Sequence, residues 1–370
     1  MALVLAHGRS DAAAIDPVFA AAAPASSRLS YPVIDADLGE VLSPQESEMA
    51  EQIGRVIEQS LRKDYRPGRA RRDAHPKAHG CVKADFHVLD AVPARLASGI
   101  FLPGKTYQAW IRFSNGSRDA TRADSKGDAR GMAIKVLGVP GRKLLEAERD
   151  SATQDFILIN HPVFFANDPA RYLALTRHAT SDNLFSRLLI PFDLGVSGTR
   201  IALETSRKII SNPLQTRYWS MVPYQLGSGP GRRAVKYSAR ACDAKTDPMP
   251  DHPGDNFLRD ALRTTLQEGD ACMEFLVQAR TSASMDVEDS MTEWPEAKAS
   301  FTKVATIRIA QQTFDTRSQN EFCENLSFSP WHSLPEHKPL GVTNRLRKVI
   351  YERISRVRLE MNAAVRTEPR

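Results

Sequence analysis

The sequence predicts an α+β chain in which about eight antiparallel strands form a barrel or sandwich, with helices between and around them. Two observations predict it. Segments of strand-like alternation recur at 82–88, 107–114, 130–138 and 155–160, and again at 218–224, 234–242, 272–280 and 303–310. Turn-rich links without long helices join the first four, which favours antiparallel neighbours over βαβ units. Helical periodicity is confined to a few segments that split or flank the two strand groups. The 370 residues suffice for one large domain or two modest ones.

Taken in order, residues 1–42 are rich in Ala, Pro and Ser and read as an extended arm that wraps a partner subunit or trails as a tail. Residues 43–62 read as a helix within an N-terminal unit of 43–70. Ser43 is its N-cap, Pro44 its first residue and Glu46 the return partner of a capping box. The next strand puts Val82, Ala84, Phe86 and Val88 on one face. The strand after it puts Tyr107, Ala109, Ile111 and Phe113 on one face and Gln108, Trp110, Arg112 and Ser114 on the other. Asp168 and Pro169 open a helix as N-cap and first residue, with further helical segments at 183–190, 198–211 and 255–267. Residues 71–310 thus make the strand domain with helical insertions, and 311–370 a wrapping segment and a last helix.

The net charge of +6 is mildly basic, and no helix-turn-helix, RNP or zinc-finger pattern accompanies it, so no nucleic-acid partner is expected. No run of 18 apolar residues exists, so no membrane span is expected. The four cysteines, Cys81, Cys242, Cys272 and Cys323, lie far apart with no CxxC pair. That spacing argues against a disulfide framework and predicts a reducing, cytoplasmic setting.

Residues 344–359, NRLRKVIYERISRVRL, carry the chemistry. Leu346, Ile350, Ile354, Val357 and Met361 recur at helical spacing, and Tyr351 lies between Arg347 and Arg358 on one side. Two guanidiniums near a phenol favour the phenolate. Phenolate is a hard ligand for ferric iron and one of the few axial haem ligands. On its own, a basic terminal helix equally fits a solvated face.

The run Phe328-Ser329-Pro330, Leu334-Pro335, Gly341, then Arg347-x-x-x-Tyr351 and Arg358-Leu359, resembles the proximal haem segment of the monofunctional haem catalases. Four further stretches resemble that family in the same order. Arg72-x-x-His75-x-Lys77, with two extra residues before Gly80, is similar to its distal segment. Residues 111–115, IRFSN, are similar to its strand with arginine and serine. Residues 128–135, DARGMAIK, and 158–169, LINHPVFFANDP, follow. The resemblance spans Arg72 to Leu359.

It implies a catalase-like antiparallel barrel holding haem b, with Tyr351 as iron ligand and Arg347 hydrogen-bonded to the phenolate. Arg358, Arg112 and Arg72 then belong to the haem contacts, Arg112 and Arg358 at the propionates. His75 becomes the distal acid–base group, with Ser114 fixing its tautomer and Asn160 donating to peroxide. His79 competes with His75, but only His75 has an arginine three residues before it and a lysine two after. Phe165 and Tyr172 would pack on the haem.

The implied reaction is decomposition or reduction of hydrogen peroxide in a homodimer or homotetramer, within the response to oxidative stress. A small organic hydroperoxide and an organic reductant are the other partners the resemblance brings. The rival readings are a lipid hydroperoxide isomerase or lyase, similar to allene oxide synthase, and a haem carrier or sensor. Three departures stand out. The chain looks too short for the C-terminal domain of larger members, His161 stands where the family has threonine, and Ala74 stands where it has valine.

Overall fold

The computed structural model describes residues 31–366, 368 and 369. The first thirty residues of the predicted arm lie outside the described residues. Among the described residues there are nine strands: β1 (Ala78–Val88), β2 (Thr106–Asn115), β3 (Arg130–Leu137), β4 (Thr153–Ile159), β5 (Tyr218–Trp219), β6 (Tyr224–Leu226), β7 (Arg233–Ala241), β8 (Ala271–Ala279) and β9 (Phe301–Ile309). Every pairing is antiparallel. The neighbour order β5-β4-β3-β2-β1-β9-β8-β7, with β5 pairing back to β7, closes eight strands into a barrel, and β6 adds to the rim of β7. The barrel expectation is therefore met, and no sandwich forms. The predicted strand at 218–224 divides into β5 and β6 because Met221 turns the chain in the left-handed region, at φ 62°.

The inner face is filled. Val82, Phe86, Val88, Ile111 and Phe113, each from the face their alternation assigns to the core, are all fully buried. Phe156 meets Phe275 at 4.9 Å and Tyr237 at 5.1 Å between ring centres. His337 enters this cluster, accepting from the Ile100 N–H at 3.1 Å and pairing with the Tyr237 hydroxyl at 2.9 Å. The barrel is thus a packed core rather than a channel.

Among the described residues, seven α-helices surround it: α1 (Glu46–Asp64), α2 (Pro169–Ala179), α3 (Leu184–Arg187), α4 (Ile190–Ser206), α5 (Phe257–Glu268), α6 (Arg317–Asn325) and α7 (Val342–Met361). Asp168 caps α2, its carboxylate accepting from the Arg171 N–H, with Pro169 at the first position as expected. The start of α1 differs from expectation. Glu46 does reach back to the Ser43 N–H at 3.1 Å, but Gln45 is the cap residue and Ser43 makes no side-chain cap. The reason is that Glu46 is held elsewhere. Its carboxylate takes two bonds from Arg345 of α7, at 2.7 and 3.0 Å. Arg345 also binds Glu40 and Glu288, each at 2.9 Å, and is fully buried. Residues 35–42 of the arm are therefore docked: Asp35 pairs with Arg232, and the Leu38 carbonyl accepts from Arg280.

Gly341 precedes α7 with φ 82°, and any Cβ there would lie 2.1 Å from the Val287 carbonyl oxygen. Only glycine fits this close approach. Among the described residues, no helix is long and apolar enough to cross a membrane.

The cysteines correct the sequence reading. Cys81 is disulfide-bonded to Cys323 (Cα–Cα 6.0 Å) and Cys242 to Cys272 (Cα–Cα 5.4 Å). Distance along the chain misled. Cys242 follows β7 and Cys272 opens β8, its neighbour in the barrel, and the Cys242 N–H donates to the Cys272 carbonyl. Cys81 on β1 faces Cys323 of α6, which packs over the barrel's outer side. The premise for a reducing, cytoplasmic setting therefore fails. Thiol titration of the unreduced, denatured protein is expected to find no free thiol, and a count of four would overturn the pairing.

Candidate active site

The candidate site lies outside the barrel wall, between strands β2–β4 and helix α7. Register places Arg112 beside Ala133 and Ser114 beside Gly131, with Ile157 beside Ala133, so these side chains share the outer face. A cavity opens between that face and α7. Its walls include Arg72, Ala74 and His75 from the loop before β1, Arg112 and Ser114 from β2, and Ile350, Tyr351 and Arg358 from α7. Residues as far apart in sequence as Arg72 and Arg358 thus meet around one space.

His75 projects from a loop whose geometry is specific. It precedes Pro76, which disfavours the right-handed helical region, and takes φ 61°. Arg112 holds the loop by donating to the His75 carbonyl at 2.8 Å. The imidazole Nδ1 lies 3.1 Å from the Ser114 hydroxyl, leaving Nε2 toward the cavity. Burial, with the charges of Arg112 and Arg347 behind it, pushes the imidazole down to about 3. It is therefore neutral at ordinary pH, a state that can accept a proton. His79 has another setting. It is buried on β1, 3.6 Å from Asp124, and does not line the cavity. Lys77 binds the same Asp124 at 2.8 Å and anchors the loop's far end.

On the opposite side, Tyr351 lines the cavity from α7. The Arg347 guanidinium lies 5.9 Å from the Tyr351 ring centre and 5.7 Å from that of Phe164, and its Nη1 has no hydrogen-bond partner. A third edge is cationic. Arg72 and Arg358 meet Glu324 at 3.0 and 3.4 Å, and Arg112 stands near the same carboxylate. Burial would raise Glu324, but Arg72, Arg112 and Arg358 outweigh it and leave the carboxylate below its usual range. Arg358 is pushed down to about 10 by burial and then by Arg72, and burial pushes Arg112 down further. Two guanidiniums contact one carboxylate, a third stands near it, and the buried Arg112 Nε has no hydrogen-bond partner.

Four predicted residues, Arg347, Asn160, Phe165 and Tyr172, lie beside the cavity rather than on it. Asn160 accepts from the Arg130 N–H at 2.7 Å, and its buried Nδ2 has no partner. Phe165 stacks on Phe164 at 4.2 Å, and Tyr172 meets Phe164 at 5.9 Å. Burial, then Asp73, pushes Tyr172 up to about 12.

Two functional positions escaped sequence reasoning. A Cβ on Gly131 would sit 2.6 Å from His75 Nδ1 and 2.8 Å from Ser114 Oγ, so this glycine makes room for the imidazole. It was visible only as part of the stretch DARGMAIK. Glu324 was visible in the same limited way, within residues 324–330.

These residues fit a flat, largely apolar dianion. Met132, Ala133, Ile157, Phe328, Ile350 and Ile354 supply apolar walls, and unsatisfied guanidiniums stand at one edge. The comparisons agree with that class of protein. Residues 59–184 match the family described as Catalase. No curated protein matches the chain. Among solved structures, a fungal catalase is similar at 18% identity and TM-score 0.62, covering 80% of this chain and 60% of its own. Catalase A from Saccharomyces cerevisiae gives 18% and 0.61, covering 80% and 62%. A bacterial catalase gives 16% and 0.57, covering 83% and 61%. The fold is the catalase fold. The chain spans about three fifths of the length of those catalases.

Two expectations follow. Gly131→Ala should cost about 1–3 kcal/mol through overpacking against His75, read as a lower denaturant midpoint. An unchanged midpoint would show that the ring is not packed there. The second concerns pH. The unfolded His75 takes a proton near its ordinary value, whereas the folded one takes it only near 3. The unfolded state therefore binds more protons in between, and stability falls as pH drops through that window. The slope should be shallower in His75→Gln, and an equal slope would contradict the buried neutral imidazole.

Proposed function

We propose that the chain is a haem-dependent enzyme that decomposes or reduces hydrogen peroxide. The observation that carries this reading is the opposition of Tyr351 and the His75–Ser114 pair across one cavity with an excess of buried guanidinium charge. Tyr351 would hold the iron, Arg347 would stand behind it, and Arg72, Arg112 and Arg358 would meet the propionates of haem b. Bound haem supplies the redox centre at which the peroxide O–O bond is cleaved.

The chain's own residues manage the proton. Neutral His75 accepts it from one peroxide oxygen through Nε2 and returns it to the other, which departs as water. Ser114 fixes the ring's tautomer and angle. The unpartnered amide of Asn160 is a donor in reserve beside the cavity, its carbonyl oxygen already held by the Arg130 N–H. Apolar walls exclude bulk water and strengthen these polar contacts.

A second reading, peroxidase turnover with a small organic reductant, rests on Ala74. It lines the cavity next to His75 and is exposed, leaving a way in that a larger side chain would narrow.

The test is an optical titration with haem followed by oxygen release and donor oxidation. Tyr351→Phe should lose tight haem binding or change the ferric spectrum, and an unchanged spectrum would remove Tyr351 as ligand. His75→Ala should keep haem yet slow peroxide cleavage by about 100-fold or more, with His79→Ala milder. The reverse order would move the acid–base role to His79. Ala74→Val should shift turnover from donor oxidation toward oxygen release.

A further inference from the structure

A second feature lies on the surface, in residues 180–209, away from the cavity lining. Leu184, Leu188, Phe192 and Val196 recur every four residues and are 71%, 64%, 80% and 90% exposed, with Phe185 beside them at 79%. Leu188 and Leu189, between α3 and α4, keep right-handed helical angles, so the stripe continues from one helix into the next. Gly195 then kinks α4 at φ 65°. These side chains protrude from a convex helical surface. Contiguous exposed apolar area of this kind marks an interaction site.

The flanks are cationic. Arg171 lies over the kink, its Nη1 2.8 Å from where a Cβ on Gly195 would stand. Arg187 follows Leu184 by three residues, and Arg200 follows Val196 by four. Among the described residues, neither Arg171 nor Arg187 is within ion-pair distance of a carboxylate, and Arg200 meets Glu204 only at 3.5 Å. The nearby acids are engaged: Asp182 pairs with Lys63 and Asp193 with His178.

We propose that this face docks on an anionic lipid bilayer. Protruding leucine and phenylalanine side chains enter the interface between headgroups and acyl chains, while the arginines meet lipid phosphates. Charge decides against a second copy of the chain. A two-fold contact would face one cationic surface with another of the same sign. An anionic bilayer takes the apolar and the cationic groups together. The proposal is independent of haem.

The test uses the full chain and sedimentation with two kinds of vesicle: phosphatidylcholine alone, and phosphatidylcholine with phosphatidylglycerol. Wild type should partition at least tenfold more to the anionic vesicles. The double variant Phe185→Ser/Phe192→Ser should lose at least tenfold, with thermal midpoint and oligomeric state unchanged, as expected for exposed positions. Arg171→Gln/Arg187→Gln should lose roughly fivefold per arginine, and high salt should mimic it. No binding by wild type, equal binding to neutral vesicles, or undiminished binding by the phenylalanine variant would each overturn the proposal. So would a changed oligomeric state in that variant by light scattering, which would make the face an interface between copies.

Discussion

Arg345 is the tie on which the rest of the site depends. One fully buried guanidinium meets Glu40, Glu46 and Glu288, which come from the docked arm, the first turn of α1 and the loop before β9. Lys338 adds a second cation at Glu40, and the Tyr31 hydroxyl donates to Glu46. Such a cluster is costly to desolvate and costly to break, because removing the cation strands buried carboxylates. It sits near the start of α7, the helix that also presents Arg347, Tyr351 and Arg358. Gly341 sets the entry angle of that helix and Arg345 sets its depth. The cluster is internal scaffolding, and its arginine is spent on protein carboxylates.

The arginines farther along the cavity edge are different in kind. Arg72 and Arg358 pair with Glu324 as their one carboxylate among the described residues, Arg112 stands near it, and Arg112 Nε lacks a partner. A buried cationic surplus is unfavourable by itself. It makes physical sense as a binding edge whose counter-charge arrives with a ligand. The two clusters separate charge the fold uses for itself from charge left over for a ligand.

How much of this was legible in the sequence depends on range. Alternation over five to nine residues is local, so the core faces of β1 and β2 could be read directly. Asp168 with Pro169 is equally local. The capping box at Ser43 looked as clear, yet Glu46 answers to Arg345, 299 residues away. The disulfides failed for the same reason, since only the closed order of the barrel makes Cys242 and Cys272 neighbours. The cavity-lining residues His75, Ser114, Tyr351 and the arginines were nameable because their motifs are short. Gly131 was not, because its role is to be absent beside an imidazole 56 positions earlier. Phe164, which stacks on Phe165, is the ring that meets Arg347.

The spacing along α7 makes that helix a ruler. Arg345 is held by three carboxylates in a buried pocket, and Tyr351 lies six residues on. An α-helix turns by about 100° and rises ~1.5 Å per residue. One residue gained or lost between the two would swing the phenol away from the cavity while leaving the helix intact and anchored. The interval between anchor and phenol is therefore under tighter constraint than the identity of most residues within it. By the same geometry, a change in the length of α7 leaves this spacing intact only if it falls before Arg345 or after Arg358.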